Sequence, residues 1–116
     1  MRIDEFGFGT IRIDGEVHTH DVVLDGGRVR KRKKGPSKPF RGTFGHTPLS
    51  PDEDIPWDCR RLVVGTGAAG ALPIMDGVRE EAARRGVELV ALPTGAAIDA
   101  LGRGQKHSNA ILHLTC

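Results

Sequence analysis

The segment 62–70, LVVGTGAAG, has the residue spacing with the clearest chemical implication in this sequence. An apolar stretch of strand type leads into a complete G-x-G-x-x-G, formed by Gly65, Gly67 and Gly70. Where such a loop joins a strand to a helix, the helix N-terminus holds the pyrophosphate of a dinucleotide. The spacing therefore raises the hypothesis of a nucleotide-binding site.

The residues that follow the glycines argue against NAD or FAD. Pro73 fits only the first turn of a helix, so the helix is predicted to start near Leu72, beyond all three glycines. The acid that binds the ribose should stand at the end of the second strand. The only candidate, Glu88, stands at its start, about 13 Å away at ~3.3 Å per residue. We predict no cofactor.

A smaller ligand fits the same region better. The strand ends at Gly65-Thr66-Gly67 and at Pro93-Thr94-Gly95 are predicted to lie side by side, each before a helix N-terminus. Such crevices favour small anions. The alternative is that the glycines supply turn conformations and Thr94 caps a helix. The predicted ligand-binding residues are Gly65, Thr66, Gly67 and Thr94.

Metal binding and nucleophilic catalysis have little support. His18 and His20 would share one face of a strand, but zinc needs a third and usually a fourth ligand. No G-x-S-x-G occurs. Cys59 precedes a strand and is expected to be packed, and Cys116 is the last residue, where a catalytic group is hard to hold rigid. We predict no metal site and no catalytic residue.

A basic stretch covers residues 28–38, RVRKRKKGPSK, with seven Lys or Arg and no acid, whereas the rest of the chain has ten basic and fifteen acidic residues. On a strand its charges would point to both faces, so residues 30–34 must project or lie at a sheet edge. The predicted partner-binding residues are Arg28, Arg30, Lys31, Arg32 and Lys33, with Phe40 and Phe44 as apolar anchors.

An acidic protein surface is the favoured partner of this stretch. Nucleic acid is the less favoured alternative, because no Tyr or Trp interleaves the charges and no RNA-binding signature occurs. Two further alternatives remain: a solvated sheet edge whose charges only block aggregation, and self-association of the protein.

The elements that must position these residues change type along the chain. Residues 1–33 are predicted to form a β-meander of about four strands, since Asp14-Gly15 and Asp25-Gly26-Gly27 are typical hairpin turns. Residues 34–58 hold five of the seven prolines and form a connection, with one short helix capped by Ser50. Residues 59–116 follow the order β-α-β-α-β, with helices over 73–85 and 94–101. That order predicts parallel strands with right-handed crossovers.

Length and composition indicate one cytoplasmic domain. A chain of 116 residues with 38% hydrophobic residues suits a single core. Two cysteines make no disulfide framework, and neither a signal peptide nor an apolar stretch of membrane length occurs. We predict no contact with a membrane.

Five segments together resemble the Mth-nine-three-eight-like domain family, in matching order along the chain: DVVLDGGRV, GHTPLSPDED, LVVGTGAAGAL, LPTGAAIDAL and NAILHLTC. Members of this family include stand-alone archaeal and bacterial proteins, an adipogenesis-associated protein and, as a related member, a mitochondrial complex I assembly factor. Some relatives have Cys where this chain has Gly95, so a thiol role there is excluded.

The resemblance implies a compact three-layer α/β domain. The expected fold has a mainly parallel central sheet, two or three helices and an N-terminal antiparallel β-hairpin layer. No catalytic mechanism is implied. We therefore predict an uncharacterised, non-enzymatic interaction or assembly-factor-like module, with a small-anion binder or minor enzyme at the strand ends as the alternative and nucleic-acid binding as the second alternative.

Overall fold

Two β-sheets and three α-helices form the part of the chain, residues 1–103 and 106–116, that the computed structural model describes. The small antiparallel sheet has the order β1-β2-β3 and the large one β5-β4-β8-β6-β7. The strands are β1 (Ile3–Gly7), β2 (Thr10–Ile13), β3 (Glu16–His18), β4 (Val22–Asp25), β5 (Arg28–Lys31), β6 (Arg61–Thr66), β7 (Glu88–Leu92) and β8 (Ser108–His113). The helices are α1 (Arg41–Phe44), α2 (Asp76–Arg85) and α3 (Thr94–Gly102), with a 3-10 helix over Gly35–Phe40.

The large sheet is mixed. β6 runs parallel to both β7 and β8, and helices α2 and α3 lie between these strands in the sequence, so the prediction of parallel strands is confirmed. β4 pairs antiparallel with β8 and with β5. The α/β class and the N-terminal hairpin layer are confirmed as well.

Both predicted hairpin turns are present. Asp14 and Gly15 have φ of 50° and 83°, and Gly26 and Gly27 have φ of 59° and 85°. Positive φ at both central residues is the type I′ turn that matches strand twist. The first third differs from the predicted meander in having a fifth strand, β1, and in dividing between two sheets. The strand β1 was missed because it carries acids and glycine, and its pairing with β2 is irregular.

The two faces of the large sheet carry separate hydrophobic clusters, which makes three layers. One face packs its alternate residues against the small sheet and α3, through residues such as Ile11, Ala97 and Leu112. The opposite face packs against α2 and the preceding connection, through residues such as Leu49 and Val78. No helix within the described ranges is long and apolar enough to cross a membrane.

Two helix predictions need correction. Residues 51–53 form a turn rather than a helix; Ser50 Oγ accepts the Asp52 N–H at 3.3 Å within it. The helix predicted from residue 73 begins at Asp76 instead, because the backbone before it is extended and pairs with Leu49. Leu49 N–H donates to Pro73 O at 2.9 Å, and Met75 N–H donates to Leu49 O at 3.0 Å. The helical turns of the connection lie at 35–44.

Candidate ligand-binding site

The strand ends at Gly65-Thr66-Gly67 and Thr94 lie side by side, as β6 pairs with β7 up to Gly65 and Leu92. Thr94 is fully buried, and its Oγ1 accepts the Gly67 N–H at 2.9 Å and donates to His113 O at 2.6 Å. Thr94 is therefore not a helix cap, since that position belongs to Pro93. Its hydroxyl links three strand ends.

The glycines of this loop seat the segment 114–116. A Cβ on Gly67 would lie 2.1 Å from Thr115 O, and one on Gly65 would lie 2.8 Å from Thr94 Oγ1. Ala68 N–H donates to Thr115 O at 3.1 Å. Gly65, Thr66, Gly67 and Thr94 are thus buried against the protein's own chain, and ligand binding by these four residues stays a prediction.

Of the predicted partner-binding residues, most lie at the surface. The basic stretch begins on β5, which is an edge strand of the large sheet. Arg30 is half-buried and lies 3.6 Å from Asp25 and from Asp54. Phe40 is half-buried. The exposed members are Arg28, Lys31, Lys33 and Phe44.

The structure corrects the placement of Arg32, which points inward. The residue is 4% exposed, and its Nε and Nη2 donate to the two carboxylate oxygens of Glu53 at 2.8 and 2.7 Å. Its Nη1 donates to Asp21 Oδ2 at 2.9 Å, and Nη2 also reaches Pro48 O. Ser37 Oγ donates to Glu53. A buried guanidinium needs such complete pairing, so the guanidinium of Arg32 is engaged in contacts within the protein.

Asp21 joins this ion pair to His113. Its Oδ2 lies 2.7 Å from His113 Nδ1, and its Oδ1 accepts the Leu114 N–H at 2.9 Å. Burial by itself raises the pKa of Asp21, but the hydrogen bond and charge of His113, the Leu114 N–H and the charge of Arg32 outweigh it and lower that pKa to about 2. The carboxylate only accepts, so Nδ1 of His113 carries a proton.

A cavity of about 420 Å³ opens beside His113, within the usual size range of ligand sites. One wall comes from the 3-10 helix, α1 and the residues next to them, and the other from the end of β8 and the segment 114–116. We call it the basic cleft; it is lined by Lys34, Lys38, Arg41, Gly45, His46, Thr47, His113, Thr115 and Cys116.

Three cations line the basic cleft. Lys34, Lys38 and Arg41 are exposed, and within residues 1–103 and 106–116 no carboxylate forms an ion pair with them. A neighbouring cavity of about 390 Å³ shares Lys34 and Lys38 and is also lined by Lys31, Arg32, Lys33 and Gly35. The electrostatic field of this region favours an anion.

The histidines and cysteines that the sequence singles out lie at separate places among the described residues. Among the described residues, no three His, Cys, Asp or Glu side chains are grouped so as to hold a metal; the rings of His18 and His20 lie 5.8 Å apart. Cys59 packs against the core beside α2, and burial raises the pKa of its thiol. Cys116 Sγ lies 3.5 Å from His46 Nδ1 at the mouth of the basic cleft.

Sequence reasoning missed the residues that meet here. Asp21 and His113 are 92 positions apart, and neither stands in a motif with a known chemical role. Lys34 and Lys38 lay within the basic stretch, but Arg41 did not. The only available signal was the segment NAILHLTC, which belongs to the family resemblance and contains His113 and Thr115.

Solved structures similar to this chain share its whole architecture. The conserved hypothetical protein PH1505 from Pyrococcus horikoshii is 30% identical, with 100% of both chains covered and a TM-score of 0.82. MT938 is 22% identical, with 98% of this chain and 97% of that chain covered and a TM-score of 0.71.

A protein from Bordetella pertussis that is described as a Mth938-like domain is 20% identical, with 97% of this chain and 84% of that chain covered and a TM-score of 0.60. No family model matches the chain, and no curated protein matches it. The descriptions of the similar structures indicate no specific function and no enzymatic activity.

Proposed function

We propose that this protein, a member of the Mth938-like domain family, binds a small anion in the basic cleft. The proposal rests on the geometry of the cleft, because the descriptions of the similar structures name no activity. The ligand carries a phosphate or carboxylate group. We assign this activity to the cytoplasm, where the two free cysteines, Cys59 and Cys116, would stay reduced.

The convergence of Lys34, Lys38 and Arg41 on one concave cavity carries this proposal. These three cations, which form no ion pair with a carboxylate of the described residues, raise the local concentration of anions, and the guanidinium of Arg41 offers paired donors to a phosphate or carboxylate. The cleft is enclosed on two sides and has the volume of a small-molecule site, which favours a small ligand over a polymer.

Thermal unfolding in inorganic phosphate tests the proposal. Phosphate at 100 times its dissociation constant should stabilise the native protein by about 2.7 kcal/mol, whereas chloride at matched ionic strength should not. The double variant Lys38→Ala/Arg41→Ala should lose this stabilisation, because two of the three cations of the cleft are gone.

The control Arg28→Ala/Arg79→Ala removes two exposed charges outside the cleft and should keep the full effect of phosphate. Equal stabilisation by chloride, or an undiminished phosphate effect in Lys38→Ala/Arg41→Ala, would contradict anion binding in the cleft.

The acidic protein partner and nucleic acid predicted from the sequence are alternatives that would use the exposed Lys31, Lys33 and Phe44. The same titration separates them when polyglutamate and duplex DNA replace phosphate. Binding of either polymer that depends on Lys31 and Lys33 but not on Lys38 and Arg41 would favour a surface partner. For DNA, the affinity should also fall with a log-log slope of about −0.9 per neutralised phosphate.

A further inference from the structure

We propose that Asp21, His113 and Thr115 form a hydrolytic triad on one wall of the basic cleft, which cleaves esters of small organic anions. The inference rests on the proposed anion binding, since the cations of the cleft would hold the substrate. Both His113 and Thr115 line the cavity, and Asp21 lies directly behind His113.

The first part of the triad is a base held by a carboxylate. Asp21 Oδ2 accepts a hydrogen bond from His113 Nδ1 at 2.7 Å, and in the neutral imidazole that carries its proton on Nδ1 the lone pair lies on Nε2. Asp21 is itself fixed by the Leu114 N–H and by Arg32. The imidazole is therefore buried and oriented, as a general base requires.

The second part is the nucleophile. Thr115 Oγ1 lies 3.4 Å from His113 Nε2, near the long limit of a hydrogen bond. The backbone of Thr115 is held by the Ala68 N–H and packs on Gly67, where no Cβ would fit. The glycine loop thus holds the backbone of Thr115 in place.

The third part is the electrostatic environment. Lys34, Lys38 and Arg41 line the same cavity as His113 and Thr115. They would pair with the anionic group of the substrate and stabilise the negative charge that develops on the attacked carbonyl oxygen. A neutral ester has no anionic group for these cations to bind, so it would gain only the stabilisation of the charge on its carbonyl oxygen.

The reaction needs only water as a co-reactant. Thr115 Oγ1 attacks the ester carbonyl carbon while His113 Nε2 takes the hydroxyl proton. The bond to the leaving oxygen then breaks, and His113 returns the proton to the departing alcohol. Water, deprotonated by His113, attacks the acyl carbon on Thr115. The bond from this carbon to Thr115 Oγ1 breaks, His113 returns the proton to Oγ1, and the carboxylic acid product leaves.

Hydrolysis of mono-4-nitrophenyl succinate, an anionic ester, tests the triad, with neutral 4-nitrophenyl acetate as the reference substrate. The wild-type protein should prefer the anionic ester. Thr115→Val and His113→Gln should each lower kcat/KM by about 100-fold or more, whereas Thr115→Ser, which keeps a hydroxyl, should stay within about tenfold of wild type. Mass spectrometry should find a succinyl group on Thr115.

Each proposal can fail separately in this experiment. If Lys38→Ala/Arg41→Ala keeps the preference for the anionic ester, the cleft does not hold the anion. If phosphate stabilises the protein but Thr115→Val hydrolyses the ester as fast as wild type, the triad is overturned while anion binding stands. Activity lost in Cys116→Ala but kept in Thr115→Val would assign the attack to the thiol and also overturn the triad.

Discussion

Gly67 shows how a single residue supports the cleft through its backbone. Its φ of 105° lies in the region that L side chains rarely adopt, and a Cβ there would collide with Thr115 O. The G-x-G-x-x-G spacing that suggests a dinucleotide site instead provides the close approach of two chain segments. In this protein, glycine at the G-x-G-x-x-G spacing therefore allows close packing of the chain.

Gly67→Ala should therefore destabilise the protein strongly. A strained φ costs about 1–3 kcal/mol, and the clash with a backbone oxygen adds to it, so we expect a loss of about 3 kcal/mol or more in the free energy of unfolding. Urea denaturation of Gly67→Ala and of the wild-type protein measures this loss.

Gly95 is the matched control, because a Cβ there meets nothing within 4 Å and its φ is not positive. Gly95→Ala in α3 should change the free energy of unfolding by less than about 1 kcal/mol, in the stabilising direction. Equal stability of Gly67→Ala and Gly95→Ala would show that Gly67 tolerates a side chain and that the loop does not hold Thr115 as described.

Among the elements, the connection 34–58 departs most from its sequence-based interpretation. Its prolines indicate irregular chain, yet the 3-10 helix and α1 within it form one wall of the basic cleft. It is fastened to the large sheet by Arg32, which follows β5 and pairs with Glu53 and Asp21. The wall of the cleft therefore depends on a buried ion pair.

Removal of Arg32 should loosen this wall. Arg32→Met leaves the carboxylate of Glu53 buried without its cation and takes one of its partners from Asp21, and breaking such a pair costs about 3–5 kcal/mol. The adjacent Arg30→Met removes ion pairs that are longer and partly exposed, which contribute about 1 kcal/mol or less. Urea denaturation of the two variants measures both values, and a similar loss in each would contradict a structural role for Arg32.

The elements differ in how far local sequence determines them. Each hairpin turn is specified by two adjacent residues with positive φ, and the helix stop at Gly86 by one, so these were predictable. The inward turn of Arg32 was not, because its partners stand 11 and 21 positions away in segments of unknown geometry. The basic cleft depends on such long-range pairs, and for that reason it could not be predicted from the sequence.

In the whole molecule, Asp21 stands where the small sheet ends and the large sheet begins. It contacts His113 and Leu114 at the end of β8 and Arg32 beyond β5, so one carboxylate ties three parts of the fold together. Its charge state is therefore a property that the stability of the entire domain should report.

Stability should fall in acid through Asp21. The pKa of this carboxyl is 3.8 in the reference state and about 2 in the fold. Its stabilising contribution, about 2 kcal/mol, is complete above pH ~4 and is lost as the pH falls towards 2. Urea denaturation at pH 5 and pH 2.5 measures the loss.

Asp21→Asn should show a smaller decrease between these two pH values, because the group that binds the extra proton on unfolding is missing. Other carboxylates, such as the partly exposed Glu81 beside Arg84 and Arg85, contribute equally to both proteins and cancel in the comparison. Parallel stability curves for wild type and Asp21→Asn would contradict the assignment.

The place of β8 in the large sheet bears on how the protein is made. It is the eighth strand in sequence, yet it lies in the middle, between β4 and β6. Until the ribosome has synthesised residue 108, no strand can join the β4–β5 pair to the β6–β7 pair. We expect the growing chain to keep two half-sheets with open edges until β8 emerges and joins them. Chaperones that protect strand edges would have the longest time to bind the chain during this interval.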